Sequence, residues 1–436
     1  MSTATVRRAS PAPTLPDWIA AAAAAVDGPD WLSDRRGAGL DAFTAAGFPT
    51  RRDEDWKYTD LKQVTRRSFA TGPLAVPAAP QLEELDGPLL VFANGRLASA
   101  HGLPGGAAVV PLAQALADGH PACFEHLGRI ARPERHRFAA LATALFSDGV
   151  LLDLADGLEL EAPIRLVFLA GGATPALACP RVLVRAGANS RATVIEHYAP
   201  TSGESLSLAV SEVVLGPGAR LDHYRLQEES SQAFHLGVLA AKLDRDATLV
   251  SHNLSVGGRI ARLDLDVELA APGARVEMNG LYVARDRQHV DSHTRVDHAA
   301  PRTTSDELYR GVLSGKSRAV FNGKAVVHPG AFGTDAIQAN ANLLLSPDAE
   351  IDTKPELEIY ADDVKCAHGA TTGQLDAAAL FYLRSRGIDE DTARTLLTFA
   401  FADTVLARMG LAPVRRHAEE LVVGRLPEAE RIREFT

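Results

Sequence analysis

Beyond about residue 150, apolar and polar residues alternate with the two-residue period of a β-strand, in short runs rich in Val, Leu, Ile and Thr. A related turn phrase returns between these runs, and its alanines at positions 188, 219, 247 and 274 are 31, 28 and 27 residues apart. Such a near-constant period is typical of stacked coils, because a single coil cannot bury its own apolar face. We therefore predict a parallel β-helix over residues 150–372. Its inner stack is predicted to contain Leu221, Tyr224 and Leu226, and in the next coil Leu249, Leu254 and Val256.

Helical spacing of apolar residues flanks the predicted β-helix on both sides. Residues 17–149 are predicted to be mostly helical, and residues 373–436 are predicted to be helical again. Residues 1–16 are rich in Pro and Ala and are predicted to form a disordered tail. The predicted fold is thus mainly β, with a right-handed parallel β-helix core between N-terminal and C-terminal helical regions.

Two local signals predict particular elements in the flanking regions. Residues 89–97 (LLVFANGRL) predict a strand that enters an Asn-Gly hairpin turn. Asp376, a basic last turn and Gly387 match the polarity of a helix at both ends, and Asp389 is predicted to begin a second helix that runs to Met409. Helices appended to a solenoid can cap its open end or dock a partner, and capping is the simpler interpretation.

Composition and charge narrow the function classes. The chain has 45 basic and 55 acidic residues, a formal charge of −10, and no basic block interleaved with aromatics, so we predict no nucleic-acid partner. No apolar stretch approaches the ~20 residues of a membrane-spanning helix, so we predict no membrane partner. The three cysteines are scattered and odd in number, which favours a reducing cytoplasm over a disulfide framework.

The segment Lys365-Cys366-Ala367-His368 carries the main candidate chemistry. On a strand, Cys366 and His368 point to the same side, so a thiol and an imidazole share one face. This is half of a metal site or half of a Cys/His reaction centre, and Lys365 and His368 would lower the pKa of the thiol. The residues alone leave open the alternative that Cys366 is a buried, inert thiol.

Two other motifs are interpreted as structural. The segment Gly311-Val-Leu-Ser-Gly-Lys-Ser317 has one residue too few for a phosphate-binding P-loop, so we predict a tight turn and no ATP site there. The strand histidines lack zinc-type spacing and are predicted to be polar residues of half-exposed strands rather than ligands. These histidines are His223, His235, His252, His289, His293, His298 and His328.

An alternative function is suggested by Arg262, Asp264 and Asp266, which share one strand face. Acidic and basic residues in this arrangement line the grooves of carbohydrate-active β-helix enzymes such as polysaccharide lyases. Because Leu263 and Leu265 alternate with them, we favour the interpretation that they form the ordinary solvent side of a strand.

Two long segments resemble the SufB/SufD family, the scaffold subunits of the SUF iron-sulfur cluster assembly machine. Residues 356–372 (ELEIYADDVKCAHGATT) and 379–388 (ALFYLRSRGI) resemble the C-terminal core of that family. Residues 51–61 (RRDEDWKYTDL) match the N-terminal pattern of its SufD branch, and the cysteine-rich motif of many SufB chains is absent. The resemblance extends from about residue 45 to the end and implies the same β-helix fold.

The resemblance implies a non-catalytic scaffold that pairs with SufB through strands near the C-terminal end of the β-helix. His368 matches a histidine at that interface and is the candidate metal ligand shared with SufB, whereas the role of Cys366 is less defined. A transient Fe-S cluster is expected at the interface, with no cofactor bound tightly to the isolated chain. Reduced flavin is a further candidate ligand of the assembled complex.

The same resemblance implies that the ATPase subunit SufC docks on the C-terminal helices. The residues expected to contact it are Leu380, Phe381, Arg384, Gly387, Ile388, Leu396 and Phe399. A cysteine desulfurase and its sulfur-transfer protein are expected as indirect partners. A homodimer of the isolated chain, acting without SufB, is an alternative assembly.

Overall fold

The computed structural model describes residues 15–426, except 75–79, 81, 83–84 and 105–107. The predicted tail, residues 1–16, therefore falls almost entirely outside the described residues. Two sheets of ten strands each form most of the molecule. The strands are β1 (Leu89–Ala93), β2 (Arg96–His101), β3 (Val109–Pro111), β4 (Gly149–Leu154), β5 (Ile164–Leu169), β6 (Ala176–Ala178), β7 (Arg181–Ala186), β8 (Arg191–Ala199), β9 (Ser205–Leu215), β10 (Arg220–Gln227), β11 (Phe234–Leu243), β12 (Thr248–Ser255), β13 (Ile260–Leu269), β14 (Arg275–Ala284), β15 (His289–His298), β16 (Thr304–Leu313), β17 (Arg318–Val327), β18 (Asp335–Leu344), β19 (Glu350–Ile359) and β20 (Lys365–Gly373).

From β8 onward the chain alternates between the two sheets, so each coil contributes one strand to each. We call sheet 1 the order β2-β1-β5-β8-β10-β12-β14-β16-β18-β20, and sheet 2 the order β3-β4-β7-β9-β11-β13-β15-β17-β19, with β6 beside β9. From β4 onward, neighbouring strands in both sheets are parallel. The architecture is a two-sheet parallel β-solenoid, which confirms the predicted β-helix.

The predicted Asn-Gly hairpin is also confirmed. Asn94 and Gly95 both have positive φ, 46° and 79°, and join β1 to the antiparallel strand β2. β1 then pairs in parallel with β5, and β3 pairs with β4. The region before residue 150, predicted to be mostly helical, thus also adds strands to both sheets.

The recurring turn phrase forms the corners of the coils. Ala219, Ala247 and Ala274 are fully buried, and each backbone N–H donates to the carbonyl three residues earlier. The equivalent corner residue in the preceding coil is Ser190, whose N–H donates to Gly187 O, rather than the predicted Ala188. A small residue recurs at this corner because the coils stack closely there.

Helices cover the outer faces of both sheets. Helices α1, α2 and α6 pack on sheet 2 around a cluster that includes Phe43, Phe138 and Phe234, whereas α8 and α9 pack on sheet 1. The helices are α1 (Asp17–Ala24), α2 (Asp30–Ala46), α3 (Lys62–Thr65), α4 (Leu112–Ala117), α5 (Pro121–His126), α6 (Arg137–Leu145), α7 (Ala377–Ser385), α8 (Glu390–Leu406) and α9 (Ala412–Val423), with a 3-10 turn at Glu54–Trp56. Helices α8 and α9 therefore lie on a flat face of sheet 1, which corrects the simpler interpretation for these two helices.

The prediction of the inner stack was right for two of its six residues. Leu221 and Leu249 lie in the lumen between the sheets. Tyr224, Leu226 and Leu254 lie an odd number of positions further along their strands, so they point to the opposite face and pack beneath α8 and α9, as does Val256. Both faces of sheet 1 are covered, and apolar residues are therefore required on both.

Glycine in the lumen leaves room for an aromatic ring in the next coil. Gly280 pairs in register with Tyr309, and a Cβ at position 280 would lie 2.0 Å from the Tyr309 ring. Gly280→Ala should therefore lower the free energy of unfolding by about 1–3 kcal/mol through overpacking. Chemical denaturation of the purified chain measures this change.

Gly37→Ala in α2 is the matched control, because its added Cβ would contact nothing within 4 Å. This change should be neutral or stabilising by up to about 1 kcal/mol, since Ala favours helix over Gly. Equal effects of the two substitutions would contradict the close packing of the lumen.

Candidate functional site

The C-terminal end of the solenoid is open. β19 pairs only with β17, and β20 pairs only with β18, so among the described residues no strand occupies their other edges. Such edges present unpaired backbone N–H and C=O groups that can accept a strand from another chain. The end of the solenoid is therefore a surface suited to strand pairing.

The two edge strands differ in how they are protected. β19 carries Pro355 at its centre, with Lys354 and Glu356 on either side, and these residue types discourage edge pairing. β20 has no charged residue after Lys365 and is exposed along nearly its whole length. β20 is thus the less protected edge.

Cys366 and His368 lie on β20 and share one side of the strand. In the parallel register they pair with Ala336 and Gln338 of β18, which are both buried in the lumen. The two side chains therefore face the mouth of the lumen, where His368 is exposed and Cys366 is half-buried. A thiol and an imidazole supply two donors, which is fewer than a closed zinc or Fe-S site requires.

The environment of Cys366 keeps its thiol protonated. Burial and the nearby Asp335 carboxylate raise the pKa of Cys366, although a backbone hydrogen bond from Ala336 acts in the opposite direction. The pKa of Cys366 is thus raised, whereas the sequence predicts that Lys365 and His368 lower it. A bound metal ion or a positive charge from a partner would be needed to favour the thiolate.

A column of polar side chains lies directly beneath His368. Glu307 pairs with Gln338, which pairs with His368, on three successive strands of sheet 1. Gln338 Nε2 donates to Glu307 Oε2 at 2.6 Å. Burial raises the pKa of Glu307 to about 7, although the hydrogen bond from Gln338 acts in the opposite direction.

Sequence reasoning missed this column. Glu307, Gln338 and His368 are separated by about one coil each, so extending the period of the turn phrase through the strands would have aligned them. The near-constant spacing of the corner alanines predicts the coils, but it does not by itself show which strand residues align.

A second polar group fills the lumen beneath the mouth. Asn340 Nδ2 donates to Tyr282 OH at 3.1 Å, and Asn340 Oδ1 accepts from Asn342 Nδ2 at 2.6 Å and from Thr353 Oγ1 at 2.9 Å. These bonds connect sheet 1 to sheet 2 through Thr353. The mouth is therefore held by directed hydrogen bonds, which fix side-chain positions better than apolar contacts do.

The first C-terminal helix presents an apolar surface. No residue of α7 is buried, and Phe381 and Tyr382 are 73% and 57% exposed. Asp376 caps the helix by accepting from the Ala378 N–H at 2.9 Å, and Gly387 ends it with a φ of 90°, as the sequence predicts.

The predicted docking residues divide into two groups. Phe381, Arg384 and Gly387 are exposed, and Leu380 and Ile388 are half-buried. Leu396 and Phe399 pack partly against the cluster beneath α8 and α9. These last two residues contribute at least in part to internal packing.

The alternative set of Arg262, Asp264 and Asp266 lines a cavity of about 400 Å³ between sheet 2 and the N-terminal region. Arg262 is buried, with its guanidinium 3.8 Å from the centre of the Trp56 ring. It donates to Asp264 at 2.6 Å and to Asp291 at 3.0 Å. The prediction of a solvent side is therefore wrong for Arg262, whose guanidinium is engaged by two carboxylates and the Trp56 ring, whereas Asp264 and Asp266 are half-buried.

Several predicted outer-face histidines are buried instead. His223, His235, His252 and His298 are inaccessible to solvent, and only His289, His293 and His328 are half-exposed. His235 Nδ1, for example, lies 2.7 Å from Glu229 Oε2 inside the lumen. The prediction was wrong for the first four because both faces of each sheet are covered, one by the opposite sheet and the other by helices.

The raised pKa of Glu307 predicts a pH-dependent contribution to stability. A folded-state pKa of about 7 lies above the ordinary unfolded value near 4.3, so Glu307 stabilises the fold below about pH 4.3 and this contribution disappears as the pH rises through 7. Glu307→Gln should remove this dependence. The difference in unfolding free energy, native minus variant, should fall by on the order of 2–3 kcal/mol between pH 5 and pH 8.

Denaturation at a series of pH values measures this difference. Glu161→Gln, which changes an exposed carboxylate, is the control and should show no such trend. If the difference in unfolding free energy between the native chain and Glu307→Gln does not vary with pH, the pKa of Glu307 is not raised in the folded state.

Comparisons with known proteins identify the family. The family model "SUF system FeS cluster assembly, SufBD core domain" matches residues 168–401, and the model "SufBD protein N-terminal region" matches residues 21–166. None of the helices in the described part of the chain has the length and hydrophobicity needed to cross a bilayer.

Curated relatives agree with these models. An iron-sulfur cluster assembly SufBD family protein of Synechocystis is 31% identical over 90% of both chains. The iron-sulfur cluster assembly protein SufD of Escherichia coli is 31% identical over 83% of this chain and 86% of its own length. A SufBD family protein of Mycobacterium leprae is 31% identical over 64% of this chain and 72% of its own length. The chain belongs to the SufBD family of the SUF iron-sulfur cluster assembly system.

Proposed function

We propose that this protein is a non-catalytic scaffold subunit that pairs with a SufB subunit through the open end of its solenoid. The observation that supports the proposal most directly is the unprotected edge of β20, which carries Cys366 and His368. Main-chain hydrogen bonds to an edge give affinity, and side chains on the same edge can enter a shared site. Resemblance to the E. coli SufD protein supports the same role.

In this proposal neither subunit completes the cluster site alone. His368 supplies an imidazole and Cys366 supplies a thiol, while the SufB subunit supplies the remaining ligands. A ligand set that is divided between two chains would hold an Fe-S cluster transiently and release it when the chains move apart. Reduced flavin would act only in the assembled complex.

The exposed face of α7 is proposed to dock the ATPase subunit SufC. Apolar residues as exposed as Phe381 are typical of protein interaction sites when they lie beside basic side chains such as Arg384. Gly315 lies at a turn with a φ of 67° between β16 and β17, so ATP is proposed to bind the partner rather than this segment.

Sulfur is proposed to arrive from outside this chain, through a cysteine desulfurase and its transfer protein. The three free thiols are consistent with a cytoplasmic location for the assembly. The homodimer of the isolated chain would use the same β20 edge, so it would compete with SufB for that surface.

His368→Ala tests the cluster site in the complex co-purified with SufB and SufC. Because His368 is exposed and lies at the mouth, the complex should keep its mass while cluster formation falls at least tenfold. Native mass spectrometry reports assembly, and the visible absorption of the reconstituted cluster reports formation.

The control for this variant is His101→Ala. His101 is an exposed histidine on β2, the terminal strand at the other end of sheet 1. The complex that carries His101→Ala should form clusters normally. Normal cluster formation in His368→Ala would exclude His368 from the site, and loss of assembly would assign it a role in pairing instead.

Phe381→Ala tests docking of SufC. The Phe381 side chain is 73% exposed, so its removal should leave the stability of the chain unchanged. If Phe381 is a central contact, affinity for SufC should fall by about 2 kcal/mol, or roughly thirtyfold. Calorimetric titration of the chain with SufC measures this loss.

Phe124→Ala is the matched control, because Phe124 is 52% exposed on α5 in the N-terminal region. The affinity of the Phe124→Ala variant for SufC should equal that of the native chain. An equal affinity for Phe381→Ala and the native chain would show that the ATPase binds elsewhere.

A further inference from the structure

Three metal-binding side chains meet far from the open end, between sheet 1 and α9. His197 lies on β8, Glu228 directly follows β10, and His417 lies on α9. One donor atom from each lies within 4.8 Å of the others, and no other set of three such residues in the described part of the chain satisfies this spacing. β10 is five strands from β20, or roughly 24 Å at about 4.8 Å per strand, so this group is separate from Cys366 and His368.

The Glu228 carboxylate lies close to both histidines of this group. Glu228 Oε1 lies 2.7 Å from His417 Nε2, with which it forms a hydrogen bond, and 2.6 Å from His197 Nε2. His197 Nε2 thus forms a close ion-pair contact with the Glu228 carboxylate, but neither ring nitrogen of His197 makes a hydrogen bond of normal geometry. His197 is 1% exposed, so its nitrogens cannot be satisfied by bulk water.

We propose that His197, Glu228 and His417 bind a divalent transition-metal ion. Imidazole nitrogens and a carboxylate oxygen are the donors that Zn²⁺ and Fe²⁺ accept, and two histidines with one glutamate form a common three-ligand set. Metal–ligand bonds of about 2.0–2.1 Å at tetrahedral angles place neighbouring donors about 3.3 Å apart, so Glu228 Oε1 would need to move away from each histidine nitrogen by roughly 0.6–0.7 Å. The ion would use the lone pair of a His197 nitrogen that now makes no hydrogen bond of normal geometry.

The site has a path to solvent. Glu228 lines a pocket of about 610 Å³ whose walls carry Arg259, Arg285 and Arg287. These cations favour water or an anion as the remaining ligand of the ion. Arg425, also in the wall, donates to Val256 O at 3.1 Å and to Leu421 O at 3.3 Å, so its guanidinium is engaged by backbone carbonyls rather than by Glu228.

Metal binding would fasten the C-terminal helices to the solenoid. His417 is the ligand contributed by α9, whereas His197 and Glu228 belong to the coils. α9 packs against α8, and α8 packs against α7. An ion at this position would therefore stabilise the docked arrangement of the helical region without contacting α7 itself. This inference does not depend on the proposed pairing with SufB or SufC.

The test uses the full chain carrying Cys366→Ser and His368→Ala, so that the open end cannot bind metal. After treatment with a chelator, the protein is dialysed against Zn²⁺, or against Fe²⁺ without oxygen, and the metal content is measured by mass spectrometry. We expect one ion per chain and a rise of several degrees in Tm, because an ion that binds only the folded state stabilises it. Mg²⁺ should produce neither effect, since it prefers oxygen ligands.

Two substitutions distinguish a metal site from a purely structural contact. Glu228→Gln keeps the size of the side chain and its capacity to hydrogen-bond His417, but it removes the negative ligand. His417→Ala removes one imidazole at a position whose side chain is 21% exposed. Each should weaken Zn²⁺ binding at least tenfold and abolish the metal-dependent rise in Tm.

The matched control is His126→Ala, because the His126 side chain is 22% exposed and lies on α5 in the N-terminal region. It should retain one ion per chain and the full rise in Tm. The proposal is overturned if the dialysed parent chain contains no stoichiometric Zn²⁺ or Fe²⁺. It is equally overturned if Glu228→Gln and His417→Ala retain the ion as well as His126→Ala does, or if Mg²⁺ has the same effect.

Discussion

In-register pairing between successive coils is the constraint on which the rest of this structure depends. Because parallel strands align residue by residue, each side chain lies above the equivalent side chain of the previous coil. Large residues can therefore stack on one another, as Phe92, Phe168 and Tyr198 do, or alternate with small ones. Tyr309 lies over Gly280, and Tyr282 lies over Gly311, so the two tyrosines and two glycines exchange places between adjacent coils.

The same constraint leaves polar side chains accessible at the end of the stack. Within the stack, each strand forms backbone hydrogen bonds with a strand on either side. The last coil lacks one neighbour, so the side chains of β20 keep their donors free. Cys366 and His368 are available for this topological reason, and their residue types alone would not have indicated it.

The sequence could predict the repeat but only part of its consequences. Alternation and a near-constant coil length were sufficient to predict the solenoid, and the Asn-Gly dipeptide was sufficient to predict the hairpin at Asn94 and Gly95. The face of Tyr224 and Leu226 could not be assigned, because both faces of sheet 1 are buried and therefore both are apolar. The rule that polar residues mark the solvent side fails for such a sheet.

Burial of the histidines could not be predicted for a related reason. His235 is buried because Glu229 lies beside it, and Glu229 in turn accepts hydrogen bonds from Ser207 and Gln227 on two different strands. Partners of this kind come together only when the coils are stacked, and no local spacing in the chain reveals them. The group formed by His197, Glu228 and His417 is an extreme case, since its third member is contributed by α9.

The pKa values of buried carboxylates differ along the length of the lumen, and this difference affects the charge near its open end. Near β8, buried acids have compensating partners: burial alone would raise the pKa of Glu196, but His223, Ser211 and Tyr198 lower it to about 2. Nearer the mouth, Glu307 has only amide and hydroxyl groups around it and its pKa is raised to about 7. Glu307 lies two strand spacings from His368, or about 10 Å, with no compensating cation between them in the described structure. If iron binds at the mouth as proposed, its positive charge would favour the ionised form of Glu307, since a low-dielectric lumen screens charges poorly. The charge state of the lumen would then follow the occupancy of the site at its open end.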